Sequence, residues 1–300
     1  MTAPVPIPTP VPVPAPANTP VPVPAPANQN PDVVFTITNQ CTQDLWIGAD
    51  GRSESRPTFV FNGLNFHTPN NGGWKLAAGR NSTTSVPYDF TAARFWARTG
   101  CTGTGNNFRC ETGDCGPWVE CSNGGVPRGG KPPVTIAEFT LNGYGNQDYF
   151  DISLVDGFNL PMTIKVETPD DSQQGEYWCT SPECTTDINK VCPSELAVDG
   201  ASGVVACNSG CMRFDTDEYC CRGACCATPD TCTPDKWAVN YPKMFKDACP
   251  QAYSYAYDDP TSTFVCRNTN YNIVFCPDSA PTPPPTSSKY NIIREALQKC

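Results

Sequence analysis

Charge is scarce in this chain: 17% of its 300 residues are Asp, Glu, Lys or Arg. Acids outnumber bases 30 to 20, and the net charge of −10 argues against nucleic-acid and anionic-membrane partners. Histidine is nearly absent, with His67 alone. A zinc site would have to be almost all cysteine, and the cysteines do not repeat CxxC pairs, so neither a metal nor another cofactor is expected. No run approaches the ~18 apolar residues of a membrane span. No secretory leader pattern is visible either, because Met1 runs straight into Pro-Val repeats without a basic start or an apolar core. Helix-favouring patterns are few. Short β-branched and aromatic runs take their place, so an all-β fold is expected.

Cysteine and proline are abundant, at 19 and 33 residues. So many thiols suit disulfide stapling in an oxidising compartment, which places the protein outside the cell. Residues 1–31 are low complexity, with TPVPVPAPAN at 9–18 and again at 19–28. Alternating proline removes donors and fixes φ, so a stiff polyproline II spacer is expected. The folded part runs over 32–277, and 278–300 is a Pro-rich linker with a short tail ending in Cys300. VVFTITNQC alternates Val33, Phe35 and Ile37 against Val34, Thr36 and Thr38, the pattern of a half-buried strand. Residues 51–73 read as loops, and His67 among them as a solvated loop histidine. Asn81-Ser82-Thr83 is a glycosylation sequon. AARFWARTGC puts Arg94, Trp96 and Arg98 on one strand face and Phe95 and Ala97 on the other. Two stretches, 99–138 and 179–249, are cysteine-rich and poor in large apolar residues, so bridges must hold them. In the second, Asn240 caps a single short helix with Pro242 in its first turn and Met244, Phe245 and Ala248 facing inward.

The stretch EFTLNGYGNQDYFDISLVDGFNLP, from Glu138 to Pro161, carries three acids of interest: Glu138, Asp151 and Asp156. Ile136, Phe139 and Leu141 surround Glu138 with apolar residues. Asp151 opens the strand-like DISLV. Asp156-Gly157 reads as a two-residue hairpin turn before FNLPMTIKV.

WARTGC, CETGDCGPWVEC, PPVTIAEF, FDISLVDGFNLPM, FDTDEYCC, ACPQAYSYAYDDPTSTFVC and NIVFCP occur in that order, and over 33–277 the chain resembles the thaumatin-like family. One position departs from the family signature: Asn106 stands where glycine precedes CETGDC, which implies a locally altered turn. The resemblance implies a flattened antiparallel β-sandwich with two disulfide-rich loop regions packed on it. It implies the pairs Cys41–Cys276, Cys101–Cys110, Cys115–Cys121, Cys179–Cys266, Cys184–Cys249, Cys192–Cys207, Cys211–Cys220 and Cys221–Cys232. Cys225 or Cys226 could displace Cys232 in the last. Cys225, Cys226 and Cys300 remain, an odd count that leaves at least one thiol free or paired between chains. The resemblance also implies an acidic cleft, whose positions fall on Arg94, Glu138, Asp151, Asp156 and Asp259.

Three functions are compatible with such a cleft. The first is a secreted, monomeric, antifungal defence-type protein that binds β-1,3-glucan, with carboxylates accepting hydroxyl hydrogen bonds and aromatics stacking on sugar rings. The second is a weak endo-β-1,3-glucanase. Hydrolysis needs a protonated carboxyl and an ionised one, and Glu138 as acid with Asp156 as nucleophile or base would supply them. Arg94 would hold a neighbouring acid ionised. The third is an enzyme inhibitor or a membrane-permeabilising protein. Three of these residues also have a bland reading: Asp156 as a turn former, Asp259 before Pro260 as a turn start, Arg94 as a structural partner of Glu138. Their joint presence favours binding over turnover. Because a Pro-Val repeat has no core to contribute, deleting 1–31 leaves the thermal midpoint and ligand binding unchanged. A large loss of stability in the truncated protein would show that the repeat docks on the domain.

Overall fold

The computed structural model describes residues 31–170 and 172–277. The spacer (apart from Pro31), the 278–300 tail and Cys300 lie outside the described residues. The strands in chain order are β1 (Val33–Asn39), β2 (Leu45–Arg52), β3 (Phe59–Phe61), β4 (Leu64–His67), β5 (Gly73–Leu76), β6 (Asn81–Val86), β7 (Thr91–Arg98) and β8 (Ile136–Thr140). There follow β9 (Asp148–Ser153), β10 (Met162–Val166), β11 (Glu183–Cys184), β12 (Ala197–Gly200), β13 (Gly203–Cys207), β14 (Phe264–Cys266) and β15 (Tyr271–Phe275). A five-stranded sheet has the order β11-β10-β15-β1-β6. An eight-stranded sheet has the order β14-β9-β8-β7-β2-β4-β3, with β5 also paired to β2. Pairing is antiparallel except between β1 and β15, which run parallel with Phe35 opposite Tyr271.

Alternation along each strand sends one set of side chains between the sheets. Phe35 and Tyr271 from the smaller sheet meet Phe95, Phe139 and Phe150 from the larger one. Phe35 stacks on Phe95 at 4.9 Å and meets Phe139 edge-on at 4.8 Å, while Tyr271 lies 5.1 Å from both Phe139 and Phe150. The Tyr271 hydroxyl donates to buried Asp148 at 2.9 Å, so the one polar tip in this aromatic layer is satisfied.

Three sequence expectations change here. Residues 51–73 are not all loop: β3 and β4 form a hairpin whose turn residues Asn62 and Gly63 both have positive φ, at 49° and 76°. Asn-Gly suits that turn because both positions need the left-handed region. His67 is not solvated. It ends β4 at 7% exposure, with Nδ1 2.8 Å from the Arg56 carbonyl and its ring edge-on to Phe90, and burial lowers its pKa. Asp156-Gly157 does not turn a hairpin. β9 already pairs with β8 and β14, and β10 with β15 and β11, so the two strands have no edges left for each other. The chain turns at 154–157 and crosses from one sheet to the other.

The loop regions are held as their composition demands. Disulfides join Cys41 to Cys276, Cys101 to Cys110, Cys115 to Cys121, Cys179 to Cys266 and Cys184 to Cys249. Others join Cys192 to Cys207, Cys211 to Cys220 and Cys221 to Cys232, and a ninth joins the neighbours Cys225 and Cys226. Two single-turn helices, α1 (Gly210–Phe214) and α2 (Gly223–Cys226), accompany the longer α3 (Tyr241–Ala248), where one helix was expected. Asn240 caps α3 by accepting from the Lys243 amide at 3.0 Å, and Phe245 is buried beneath it. Each native bridge contributes ~2–5 kcal/mol in small secreted domains. Thermal unfolding with and without reductant should therefore show the midpoint collapse on reduction, and an unchanged midpoint would refute the stapling account.

Candidate functional site

The larger sheet packs only one face on the core. On its other face, β7 presents Arg94, Trp96 and Arg98, as the alternation predicts. Arg98 and Trp96 are nonetheless fully buried, because the loop region 99–138 covers them. The Arg98 guanidinium donates to the carbonyls of Ile47 at 2.9 Å and Val119 at 2.6 Å, pinning that loop to β2. The Trp96 indole donates to Gly113 at 3.0 Å. The cover stops short of Arg94.

Register then sets the open part. Asp50 on β2 lies opposite Arg94 on β7, Arg94 opposite Glu138 on β8, and Glu138 opposite Asp151 on β9. Four charged side chains thus form one row across four strands, spaced by ~4.8 Å per strand. Asp156 enters from the 154–157 turn. Gly157 allows this: its φ is 93°, and a Cβ there would lie 2.5 Å from the Cys207 carbonyl. Asp259 enters from a 3-10 turn at Asp259–Thr261 and accepts from the Tyr253 hydroxyl at 3.2 Å. That turn is held by Asp258, which pairs with Lys246 at 3.0 Å and takes two hydrogen bonds from Ser254.

The result is a pair of open grooves, about 420 and 430 Å³, that share Glu138, Asp151 and Tyr253. One is completed by Ser153, Val155 and Asp156, the other by Ala92, Arg94, Tyr149 and Asp259. All five sequence-derived positions therefore line one cleft. Arg94 makes its ion pair with Asp50 (Nε to Oδ1, 3.6 Å), not with Glu138. Sequence reasoning missed Asp50 and Tyr253. Asp50 was within reach, since strict alternation in LWIGADG puts it on the outer face with Trp46 and Gly48.

Burial raises the pKa of Asp50, Glu138, Asp151 and Asp156 alike. Arg94 pulls Asp50, Glu138 and Asp156 back toward ionisation without cancelling the burial effect. Asp151 is raised furthest, first by burial and then by the like charges of Glu138 and Asp259, with no help from Arg94. Its buried Oδ1 has no hydrogen-bond partner. The cleft thus sets carboxyls whose ionisation burial disfavours beside one guanidinium that favours it.

A disulfide-stapled β-sandwich with an acidic surface cleft is the class that this fold and site define. The sequence matches the Thaumatin family over residues 39–277, and the chain belongs to that family. It is a thaumatin-like protein of the pathogenesis-related defence type. It is 44% identical to pathogenesis-related protein 5 of Arabidopsis thaliana, an alignment covering 81% of this chain and 90% of that protein. It is 43% identical to a protein of Prunus avium named glucan endo-1,3-beta-glucosidase, covering 81% and 89%. A laminaripentaose-producing beta-1,3-glucanase, solved in complex with laminaritetraose, shares the fold at a TM-score of 0.54 and 13% identity, over 83% of this chain and 99% of that one. Among the described residues, no helix is long and apolar enough to cross a membrane.

The raised pKa of Asp151 has a definite sign for stability. The native state keeps a proton that the unfolded chain releases near the ordinary value of 3.8. The stabilisation is full below that value and is lost as pH rises through the folded value. Thermal midpoints should therefore fall as pH rises above ~4. Asp151→Asn should flatten that slope, raising the neutral midpoint by ~2–4 °C for each kcal/mol relieved. An unchanged slope would show that Asp151 ionises freely in the fold.

Proposed function

We propose that the protein is secreted and binds a neutral β-1,3-glucan of the fungal cell wall in the acidic cleft. The observation that carries this reading is the cross-strand row Asp50–Arg94–Glu138–Asp151, joined by Asp156 and Asp259 around open grooves. A sugar chain offers hydroxyls that both donate and accept. A row of carboxyls in mixed protonation states, with one guanidinium, matches that chemistry without demanding a charged ligand. Tyr149 and Tyr253 supply aromatic surface in the groove walls. The name of the Prunus avium relative supports the glucan class. The disulfides suit an oxidising compartment, and Asn81 lies exposed at the start of edge strand β6, where an attached glycan meets solvent.

Hydrolysis is the second reading, and one observation favours it. Burial raises the pKa of both Glu138 and Asp156 and Arg94 opposes both rises, but at Glu138 the charges of Asp156 and Asp50 add to the rise, against a Ser153 hydrogen bond, which gives the acid and the base different surroundings. In that mechanism Glu138 protonates the leaving oxygen and Asp156 acts on the opposite side of the sugar ring.

Glu138→Gln and Asp156→Asn separate the readings. For a binding cleft, each weakens retention on insoluble β-1,3-glucan severalfold and the wild type releases no reducing sugar. For a hydrolase, the wild type releases reducing sugar and each amide variant lowers that rate by orders of magnitude. Full retention of glucan by the double variant would overturn the cleft as the binding site.

A further inference from the structure

The β3–β4 hairpin carries a feature that the cleft does not account for. Phe59 lies opposite Phe66, and Phe61 opposite Leu64. The Phe59 and Phe61 rings stack at 6.4 Å and 14°. His67 points to the core, against Phe90, so its neighbour Phe66 and the three residues aligned with it face outward. These four side chains form a flat apolar platform, and at its tip Phe61 and Leu64 remain 46% and 39% exposed. Leaving such groups in water forgoes the stabilisation that burial would give, and exposed apolar side chains grouped in this way suit a binding surface.

The platform shares its face with the acidic row. Arg52 lies opposite Phe66, with its guanidinium carbon 6.0 Å from that ring, and it follows Asp50 by two residues on β2, which keeps it on the same side. Arg52 is also opposite Thr91, the neighbour of Ala92 in the groove wall. The surface therefore runs from the groove wall across the β-bulge between Asp50 and Arg52, through Thr91 and Arg52, to Phe66, Phe59 and Phe61. From Asp151 on β9 to Phe59 on β3 there are five strand spacings, roughly 24 Å.

We propose that this hairpin platform is an extension subsite for the same neutral glucan, stacking the apolar C–H faces of its pyranose rings beyond the cleft. The proposal rests on the glucan-binding reading of the cleft. Its occupant is argued from continuity with the groove and from charge. The platform side chains are uncharged, with the Arg52 guanidinium beside Phe66 and the Glu54 carboxylate held by Asn65 as opposite charges at its border, so no net charge selects a charged ligand there, whereas a long uncharged chain leaving the acids meets aromatic rings. A short oligomer fills the cleft alone, and a polymer reaches both.

The test compares a β-1,3-linked trisaccharide with a soluble linear β-1,3-glucan on the full chain by calorimetry. Phe59→Ala/Phe61→Ala should weaken polymer binding about tenfold, ~1.4 kcal/mol, and leave trisaccharide affinity unchanged. Phe59→Tyr/Phe61→Trp should restore the polymer affinity, which a merely structural role would not produce. Thermal midpoints check that both variants fold. If the wild type binds trisaccharide and polymer and the alanine variant binds both equally well, the platform inference fails while the cleft reading stands. If the wild type binds neither, both fail. If the wild type self-associates and the alanine variant does not, or if it binds neutral lipid vesicles through these rings, the platform serves a second copy or a membrane and the inference is overturned.

Discussion

A β-strand shows its side chains to two faces in strict turn, and the eight-stranded sheet commits one of them to the core. Everything functional here depends on what the other face must then do. Phe95, Phe139 and Phe150 occupy inward positions. Their neighbours in sequence are forced outward in the same register, which lines up Arg94, Glu138 and Asp151. No separate device is needed to gather these charges, since the core packing that fixes the register also fixes the row. A one-residue slip of β8 would bury Glu138 and expose Phe139, so the fold and the cleft stand or fall together.

The rest of the outer face shows how a small apolar inventory is stretched. The 99–138 loop region covers Trp96 and Arg98 and is stapled by Cys101–Cys110 and Cys115–Cys121. Arg98 supplies five directed donors where a larger hydrophobic cluster would otherwise be needed. Burial lowers its pKa to about 10, with the charges of Asp114 and Glu120 opposing that shift, so it stays a cation at neutral pH. The large loop region relies on five internal bridges and a compact cluster of Cys221, Cys232 and Trp237. Where the cover ends, the sheet face becomes the cleft floor.

Alternation was the legible part of the sequence, and it placed β1 and the faces of β7 correctly. What stayed hidden was pairing between distant segments. DISLV followed by Asp-Gly looks like half a hairpin locally, and only the occupied edges of β9 exclude it. His67 sits in a polar, Gly- and Asn-rich stretch of sequence, yet β4 pairs with β2 and turns its ring onto Phe90. Asn62-Gly63 was an available hairpin signal passed over because the flanking run FVF is so short. The disulfide pairings came from family resemblance, because cysteine spacing alone permits many connectivities. The Cys225–Cys226 bond had no counterpart in that pattern. Asp259 joins the cleft from more than a hundred residues beyond Asp151, a proximity no local pattern could reveal.

The electrostatics of the cleft follow from counting within one low-dielectric strip. Asp50, Glu138 and Asp156 share the single guanidinium of Arg94, and Asp151 and Asp259 stand beside them without its help. Full ionisation would set several like charges within a few ångströms of each other, away from water, and the cost of that grows as the local dielectric falls. The cost falls most heavily on Asp151, whose pKa burial raises furthest and whose neighbours Glu138 and Asp259 are both acids. A carboxyl that keeps its proton is a hydrogen-bond donor, and one beside Arg94 is an acceptor. The same burial and repulsion that would destabilise a fully ionised cleft therefore favour a mixed donor and acceptor surface, the property on which the proposed binding of an uncharged polyhydroxyl chain depends.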